Sequence, residues 1–332
     1  MRMKFAIVGC GRIALRHAEN IIKQAKLSAV CDTIKERADQ FAKKYHAKAY
    51  YSLEDLLWAE KDIEVVCICT PNGLHARQSI ECLEAGLNVL CEKPLCIKVA
   101  EGKKMIASAR KAKKNLFVVK QNRFNPPVIE LKKLLFKGEL GAIFNFQINC
   151  FWNRPNQYYK DSWKGSKKLD GGTLFTQFSH FIDLLYWLFG DVKSINAVIR
   201  NYDHPHIEFE DTGIAILEMK SGVIGNLHFT VNSYKKNMEG SFTVFGAKGT
   251  VKIGGQYLNE LEYQCIEGIE IKNPSKVGGS NNYGFYQGSM SNHDKVYENL
   301  FKALKHQEHE LINAEEALKT VEIIENIYKA SQ

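Results

Sequence analysis

The clearest absence in this 332-residue sequence is that of a long apolar run. No stretch approaches the roughly 18 residues that a membrane-spanning helix requires, so no membrane association is expected. Residues 1–4 lead directly into an apolar strand pattern at 5–8, which leaves no room for the apolar core and cleavage site of a secretion signal. The sequence therefore predicts a soluble protein of the cytoplasm.

Cysteines spaced for disulfides or for metal binding are missing as well. The count of nine is odd, and none of the spacings is that of a zinc ribbon. Cys67 and Cys69 lie in one apolar strand pattern, where they would point to opposite faces and could not share a metal ion. We interpret them, with Cys91, as small buried hydrophobic residues in a reducing compartment, and we expect no metal.

A concentrated basic surface is absent despite the net charge of +8. The lysines are scattered, and the densest cluster, at residues 111–114, ends an amphipathic helical pattern where cations interact favourably with the helix dipole. A nucleic-acid partner is therefore not expected. The mild basicity is compatible with an anionic small-molecule substrate.

The first 120 residues contain a repeated alternation of strand and helix patterns. The strands are continuous apolar runs, which is typical of a parallel sheet covered by helices on both faces. Strands are predicted at 5–8, 27–31, 65–70, 89–92 and 117–120, and helices at 12–24, 35–45, 53–60, 73–85 and 98–113.

After residue 122 the pattern changes to longer strands joined by short turns, which favours antiparallel pairing. Strands are predicted at 143–152, 192–200, 212–219, 223–231, 241–245 and 250–253, and helices at 127–136, 173–189, 292–306 and 314–330. The Gly-, Asn- and Ser-rich segment 273–290 is expected to form a loop near the site. We predict an α/β domain with a doubly wound parallel sheet over 1–122 and an α+β domain with an open, mostly antiparallel sheet over 123–332. Whether the final helices pack back on the first domain stays open.

A dinucleotide fingerprint follows the first strand and opens the first helix, with the sequence Gly9-Cys10-Gly11-Arg12-Ile13-Ala14. Gly9 permits a tight turn, and Gly11 lets the backbone approach a pyrophosphate at the N-terminus of the helix. Asp32 ends the second strand at the spacing of the acid that binds the adenosine ribose. Because a carboxylate there repels the 2′-phosphate of NADP, the predicted cofactor is NAD.

Two motifs fall at the predicted carboxyl ends of parallel strands, where ligands bind in open α/β sheets. They are Thr70-Pro71-Asn72 and Cys91-Glu92-Lys93-Pro94. Lys93 precedes a proline, which holds it in an extended conformation and directs its side chain. Beside a cationic nicotinamide this lysine would have a lowered pKa and could accept a proton.

The predicted helix 173–189 is apolar except for one series of polar residues. They follow helical spacing and would form one polar face on a buried helix: Thr173, Thr176, Gln177, His180 and Asp183. Buried polar groups need partners, which either a ligand or a structural network can supply.

The loop 152–168 combines one arginine with aromatic and lysine side chains. Arg154 can grip a carboxylate or phosphate with two hydrogen bonds, while Tyr158 and Tyr159 can donate to sugar oxygens or stack on a ring. The alternative is a solvated loop whose aromatic side chains pack into the core.

These motifs together resemble the Gfo/Idh/MocA oxidoreductases over essentially the whole chain. The matching elements are residues 9–14, Thr70-Pro71-Asn72 with His75, Glu92-Lys93-Pro94, and Gly171-Gly172 with His180. The resemblance implies a Rossmann domain followed by an antiparallel sheet domain that commonly mediates homo-oligomerisation, with a tetramer favoured. It also implies cofactor contacts from Gly9, Gly11, Arg12, Ile13, Asp32, Thr70, Asn72, His75, Glu92, Lys93, Gln121, Asn122, Trp163 and Lys164.

Further strings resemble the branch of this family that uses NAD to oxidise the C3 hydroxyl of UDP-N-acetylglucosaminuronate (UDP-GlcNAcA), a nucleotide sugar on the way to surface polysaccharides such as lipopolysaccharide. They are residues 120–123, 151–159, 170–172, 177–183, 210–213 and 237–241, with Asn153 and Asn156 departing from the pattern. The resemblance implies that Lys93 and His180 move the proton of the hydroxyl, with the base not decided between them. It implies substrate contacts from Arg154, Tyr158, Tyr159, Gln177 and Asp183.

Three alternatives remain open at this point. They are a dehydrogenase of the same fold acting on another sugar or polyol, such as an inositol or a hexose; a non-catalytic NAD-binding regulator; and a glycosidase that uses NAD transiently.

Overall fold

The computed structural model describes residues 2–272, 280–282, 284 and 286–332. By their internal contacts these residues form two compact units, 1–119 with 293–321 and 120–292 with 322–332. Part of the segment 273–290, predicted to be a loop, lies outside the described residues. Its described residues include a short antiparallel strand pair.

The strands are β1 Lys4–Val8, β2 Lys26–Cys31, β3 Lys48–Tyr50, β4 Val65–Ile68, β5 Asn88–Cys91, β6 Leu116–Val118, β7 Ile143–Phe151, β8 Val192–Arg200, β9 Thr212–Met219, β10 Ile224–Thr230, β11 Glu239–Gly246, β12 Gly249–Gly254, β13 Glu260–Ile266, β14 Ser280–Asn282, β15 Gln287–Met290 and β16 Ile312–Asn313. The α-helices are α1 Arg12–Gln24, α2 Lys35–Tyr45, α3 Leu53–Ala59, α4 His75–Glu84, α5 Val99–Ala112, α6 Pro126–Phe136, α7 Asn156–Tyr159, α8 Ser179–Phe189, α9 His293–Leu304 and α10 Ala314–Ala330.

The first unit is built on a sheet in the order β16-β6-β5-β4-β1-β2-β3. Strands β1 to β6 are parallel to their neighbours, while β16 pairs antiparallel with β6. The residues of β4 are all buried, as expected for a strand covered on both faces. The predicted doubly wound parallel sheet is thus confirmed.

The register of this sheet brings three sequence motifs to one edge. Val8 at the end of β1 is paired with Ile68 at the end of β4, and Ile68 with Cys91 at the end of β5. The chain segments that leave these strands carry the glycine fingerprint, Thr70 and Glu92. Adjacent parallel strands therefore deliver the fingerprint and both motifs to the same carboxyl edge of the sheet.

The second unit contains a sheet in the order β13-β12-β11-β7-β10-β9-β8. Neighbouring strands are antiparallel except β7 and β10, which confirms the predicted mostly antiparallel sheet. Helix α8 packs on one face of the sheet, where Phe189 stacks on Phe146 with ring centroids 4.7 Å apart. The described helices include none that is long and apolar enough to cross a membrane.

The opposite face of this sheet exposes apolar side chains from three neighbouring strands, β8, β9 and β10. Ile216 is 60% exposed and Val198 58%. Val198 is paired directly with Ile214 across β8 and β9, so these side chains adjoin one another. The members of this outward apolar face are Val198, Ile214, Ile216 and Ile224.

Candidate active site

The glycine fingerprint forms a turn that only glycine fits. Gly9 has a φ of +92°, and a Cβ on it would lie 2.7 Å from the carbonyl oxygen of Cys69. Gly11 precedes α1, and a Cβ added there would meet no atom within 4 Å. The first glycine is therefore required by the fold, while the second leaves its backbone open to the close approach of a ligand.

The N-terminus of α1 is suited to an anion. It has no side-chain cap and no acidic residue in its first turn, which begins with Arg12 and Ile13. The first amide N–H groups of a helix have no intrahelical acceptor and lie at the positive end of its dipole. This arrangement fits the pyrophosphate of a dinucleotide.

Asp32 is fixed beside the same turn. Its Oδ2 accepts a hydrogen bond from the amide of Cys10 at 2.8 Å, and its Oδ1 accepts one from the amide of Ile34 at 2.9 Å. A carboxylate oxygen accepts more than one hydrogen bond, so both oxygens retain acceptor capacity for ribose hydroxyls. The negative charge disfavours a 2′-phosphate, and the residues of the first unit fit NAD.

His75 connects the two strand-end motifs. Its ring nitrogens lie 2.7 Å from the carbonyl oxygen of Pro94 and 2.9 Å from that of Thr70. Asn72 and His75 are buried, whereas Lys93 is only partly buried. The predicted residues Thr70, Asn72, His75 and Lys93 therefore lie together at the carboxyl edge of the sheet.

Glu92 lies in a buried cluster that sequence reasoning missed. Its Oε1 is 2.9 Å from Nε2 of His17 and 3.4 Å from Nε2 of His293, and its Oε2 accepts the amide of Lys93 at 3.1 Å. Burial opposes ionisation, but the hydrogen bonds from the two histidines hold the pKa of Glu92 well below its ordinary value. His17 lies on α1 and His293 begins α9, and nothing in the sequence between them predicts that both contact Glu92.

In the second unit, Asp183 lies in a buried ion cluster. Nε and Nη2 of Arg123 donate to its two carboxylate oxygens at 2.7 and 2.8 Å, and Nζ of Lys120 lies 3.3 Å from Oδ1. Burial raises the pKa of this carboxyl, but the two cations outweigh burial and lower the pKa of Asp183 to about 2. The structure places Asp183, predicted to bind substrate, in ion pairs with Arg123 and Lys120.

His180 lies beside Gln121, which with its neighbour Asn122 was predicted to contact the cofactor. Nε2 of Gln121 is 3.3 Å from Nε2 of His180 and donates to Oγ of Ser289 at 3.0 Å. Oε1 of Gln121 and Oδ1 of Asn122 are buried and have no hydrogen-bond partner among the described residues. Buried acceptors without partners are rare and are satisfied when a ligand donates to them, which fits ribose hydroxyls.

Arg154 is the centre of a second group of predicted residues. Its guanidinium is buried, with the residue 2% exposed. Nε donates to Oε1 of Gln177 at 2.6 Å, and Nη1 donates to the carbonyl oxygen of Asn153 at 2.6 Å and to Oδ1 of Asn237 at 3.1 Å. Nε2 of Gln177 in turn donates to the hydroxyl of Tyr158 at 2.8 Å. Asn237 belongs to the resembling string 237–241, but no site role was predicted for it, because an isolated loop asparagine carries no periodic signal.

The rings around Arg154 complete this cluster. The guanidinium carbon lies 5.0 Å from the ring centroid of Trp152, 5.5 Å from that of Tyr158 and 5.3 Å from that of Tyr286. Among the described residues, no carboxylate forms an ion pair with Arg154. A buried guanidinium surrounded by neutral rings and amides retains a positive charge that can attract an anionic ligand.

The remaining predicted residues of the loop lie near Tyr158. Nζ of Lys164 is 4.4 Å from the centroid of the Tyr158 ring, and Trp163 and Lys164 are both partly buried. The hydroxyl of Tyr159 is buried without a hydrogen-bond partner among the described residues. These predicted residues of the loop are therefore packed into the second unit around Tyr158 and are not fully solvated.

The predicted single helix over 173–189 is wrong in one respect. Residues Leu174–Phe178 form a π-helical turn, and α8 begins only at Ser179. A π turn contains one more residue than an α turn, so the polar residues do not share one face. Gln177 bonds to Arg154, whereas His180 lies against Gln121.

Comparison with known proteins assigns both units to domains of one oxidoreductase family. A model of the oxidoreductase family's NAD-binding Rossmann fold matches residues 3–120, and a model of the same family's C-terminal alpha/beta domain matches residues 132–332. The chain is 26% identical over 258 residues to myo-inositol 2-dehydrogenase of Thermotoga maritima, covering 75% of this chain and 74% of the relative.

Two solved structures have a higher sequence identity to this chain than that relative and match nearly its whole length. The WlbA dehydrogenase of Chromobacterium violaceum, in complex with NADH and UDP-GlcNAcA, has a TM-score of 0.90 and 35% identity, covering 99% of this chain and 94% of that one. The WlbA dehydrogenase of Bordetella pertussis, with the same two ligands, has a TM-score of 0.89 and 33% identity, covering 100% of this chain and 97% of that one.

Proposed function

Because the chain belongs to the Gfo/Idh/MocA oxidoreductases and is an NAD-dependent dehydrogenase of that family, we propose that its substrate is UDP-GlcNAcA, oxidised at C3 to the 3-keto sugar. The buried guanidinium of Arg154 is the observation that carries this proposal. An inositol, a simple hexose or the sugar ring of UDP-N-acetylglucosamine has no negative charge to offer that cation, whereas the uronate carboxylate does.

The reaction balances with one hydride and one proton. NAD would supply the acceptor for the hydride of C3, and Lys93 or His180 would take the proton of the C3 hydroxyl. Lys93 lies in a bend of the backbone and is held by the hydrogen bond from its amide to Glu92. His180 presents Nε2 to the amide nitrogen of Gln121, which orients the imidazole.

The direct test is NADH formation with UDP-GlcNAcA compared with UDP-N-acetylglucosamine and myo-inositol. We expect kcat/KM for the uronate to exceed that for either uncharged sugar ring by about 10²-fold or more, because a buried cation left without its carboxylate is strongly unfavourable. Activity with UDP-N-acetylglucosamine alone contradicts the role of Arg154, and activity with inositol alone favours the polyol alternative. Absence of NADH formation with every sugar favours a regulator, and release of a free sugar without net NADH favours a glycosidase.

The product of this step is a 3-keto nucleotide sugar, which we propose enters the synthesis of surface polysaccharides such as lipopolysaccharide. We place the enzyme in the cytoplasm. All nine cysteines are present as free thiols, which suits a reducing compartment.

We also propose that the outward apolar face packs against a second copy of the chain in a homo-oligomer. The exposed side chains on three adjoining strands would otherwise form a contiguous apolar patch in water. Ile216→Lys is expected to convert the oligomer to monomer in sedimentation velocity, because a lysine buried at the interface would lack a partner. Phe136→Lys, at an exposed position on α6, is the matched control, and an Ile216→Lys oligomer as stable as this control would contradict the proposal.

A further inference from the structure

Five side chains in the first unit form one continuous buried chain of hydrogen bonds. Sγ of Cys67 lies 3.2 Å from the hydroxyl of Tyr297, which is 2.8 Å from Nδ1 of His17, and Nε2 of His17 is 2.9 Å from Oε1 of Glu92. His293 adds a longer contact to the same carboxylate oxygen at 3.4 Å. The other oxygen of Glu92 accepts the amide of Lys93, so the chain ends on the backbone of that lysine.

The position of each proton in this chain follows from what each atom can do. A carboxylate only accepts, so Nε2 of His17 carries a proton and donates it to Glu92. Burial holds the pKa of His17 below its ordinary value, so the ring is neutral and Nδ1 is an acceptor. The hydroxyl of Tyr297 therefore donates to Nδ1 and accepts from the thiol of Cys67. Burial raises the pKa of both the tyrosine and the thiol, which keeps both protonated.

The members of this chain belong to different elements. His17 lies on α1, the helix whose N-terminus fits the cofactor pyrophosphate, and Tyr297 lies on α9. Glu92 immediately precedes Lys93 after β5. The hydrogen bonds therefore fix the carboxylate, and through it the lysine, relative to the helix that holds the cofactor.

We propose that His17 is a positioning residue for Lys93, acting through Glu92, and that Tyr297 fixes the tautomer of His17 that this requires. The inference rests on the proposed catalytic role of Lys93. Glu92 alone could adopt several rotamers in a buried space, and a carboxylate that turns away from Lys93 would release the amide that it holds. A displacement of about 1 Å at a reacting group is enough to cost roughly 10²-fold in rate.

His17→Leu removes the donor to Glu92 and keeps an apolar side chain of similar volume. We expect kcat to fall by about 10²-fold while KM and the Kd of NAD stay within about 3-fold, because geometry and not binding is lost. His17→Gln offers an amide N–H in place of Nε2 and is expected to restore kcat to within about 5-fold of wild type. The matched control is Asn20→Leu, one turn further on α1, whose side-chain amide donates within the helix to the carbonyl of Arg16.

A readout that needs no substrate separates this inference from the proposed function. The rate at which acetic anhydride acetylates Lys93 in the whole protein, followed by peptide mass spectrometry, reports the environment of that amine. We expect it to change by about 3-fold or more in His17→Leu and to stay at the wild-type rate in His17→Gln and Asn20→Leu. This holds whichever sugar the enzyme oxidises.

Three results would overturn the inference. The first is a wild-type labelling rate and wild-type kcat in His17→Leu. The second is a His17→Gln variant no better than His17→Leu, since the role would then be packing alone. The third is a stoichiometric metal ion in the purified wild type that is absent from His17→Leu, because donor atoms of His17, Glu92 and His293 lie within 4.8 Å of one another and would then be ligands. If His17→Leu does not fold, Tyr297→Phe replaces it as the test, since this variant removes only a hydroxyl. Its kcat is expected to fall by about 3-fold or more if the inference holds, and an unchanged kcat would contradict it.

Discussion

Replacing Lys93 by methionine is expected to lower kcat by about 10³-fold while the Kd of NAD changes by less than about 3-fold. Methionine has nearly the length of lysine and fills the same partly buried space, so only the ammonium group is lost. The glycine turn, the N-terminus of α1 and Asp32 hold the cofactor independently of that group. His180→Asn is expected to have a comparable effect, since it removes the imidazole without opening a large cavity around α8.

Steady-state NADH formation measures kcat, and NAD titration by protein fluorescence measures the Kd of NAD. Lys113→Met, at an exposed position, is the control. The pH dependence of kcat in each variant then distinguishes the two roles. In the variant that lacks the base, the rise of kcat with increasing pH should disappear from the pH–rate profile, because no titrating group remains to accept the proton. Wild-type turnover in both variants would refute the proposed chemistry.

The second large effect is expected at Arg154. Arg154→Met should raise KM for UDP-GlcNAcA by about 10²-fold or more, because removing one partner of a buried charged pair typically costs 2–5 kcal/mol. Gln177 and Asn237 would also lose the donor that now satisfies their amide oxygens. With UDP-N-acetylglucosamine the change in kcat/KM should be much smaller, so the preference for the uronate should nearly disappear.

Arg154→Lys keeps the charge but not the planar array of donors, and we expect it to lie between wild type and Arg154→Met. Arg110→Met, on an arginine with an exposed side chain, controls for the loss of a positive charge. Equal losses of kcat/KM on both sugars would show that Arg154 supports the fold of its loop and does not select the carboxylate.

The fold was largely predictable because its strands are either fully buried or regularly half-buried. The bounds of α1, α2, β8, β9 and α10 were predicted to the residue. Strands β3 and β16 were missed, since segments of three and two residues are too short to show a period. Strand β13, Glu260–Ile266, was also missed.

The candidate site was predictable where chemistry is local in sequence. Lys93 and Asp32 stand next to strand ends, and the position of a strand end can be read from the apolar pattern. The partnerships that orient the site are not local: His17 and Glu92 are 75 residues apart, and Arg154 and Asn237 are 83 apart. Only the folded chain pairs them, so their roles could not be derived from spacing.

The π-helical turn at Leu174–Phe178 also bears on how this chain should be aligned with its relatives. A π turn holds one residue more than an α turn, so a relative whose helix is regular at this place must be shorter by one residue there. If the gap is instead placed in the loop before Gly171, every position up to the turn is shifted by one. Gln177 would then be aligned with a residue of the relative that does not occupy the same position in space. His180 and Asp183, which follow the turn, would still be aligned with their true counterparts. Inferences of shared substrate drawn from such an alignment depend on where that single gap is set.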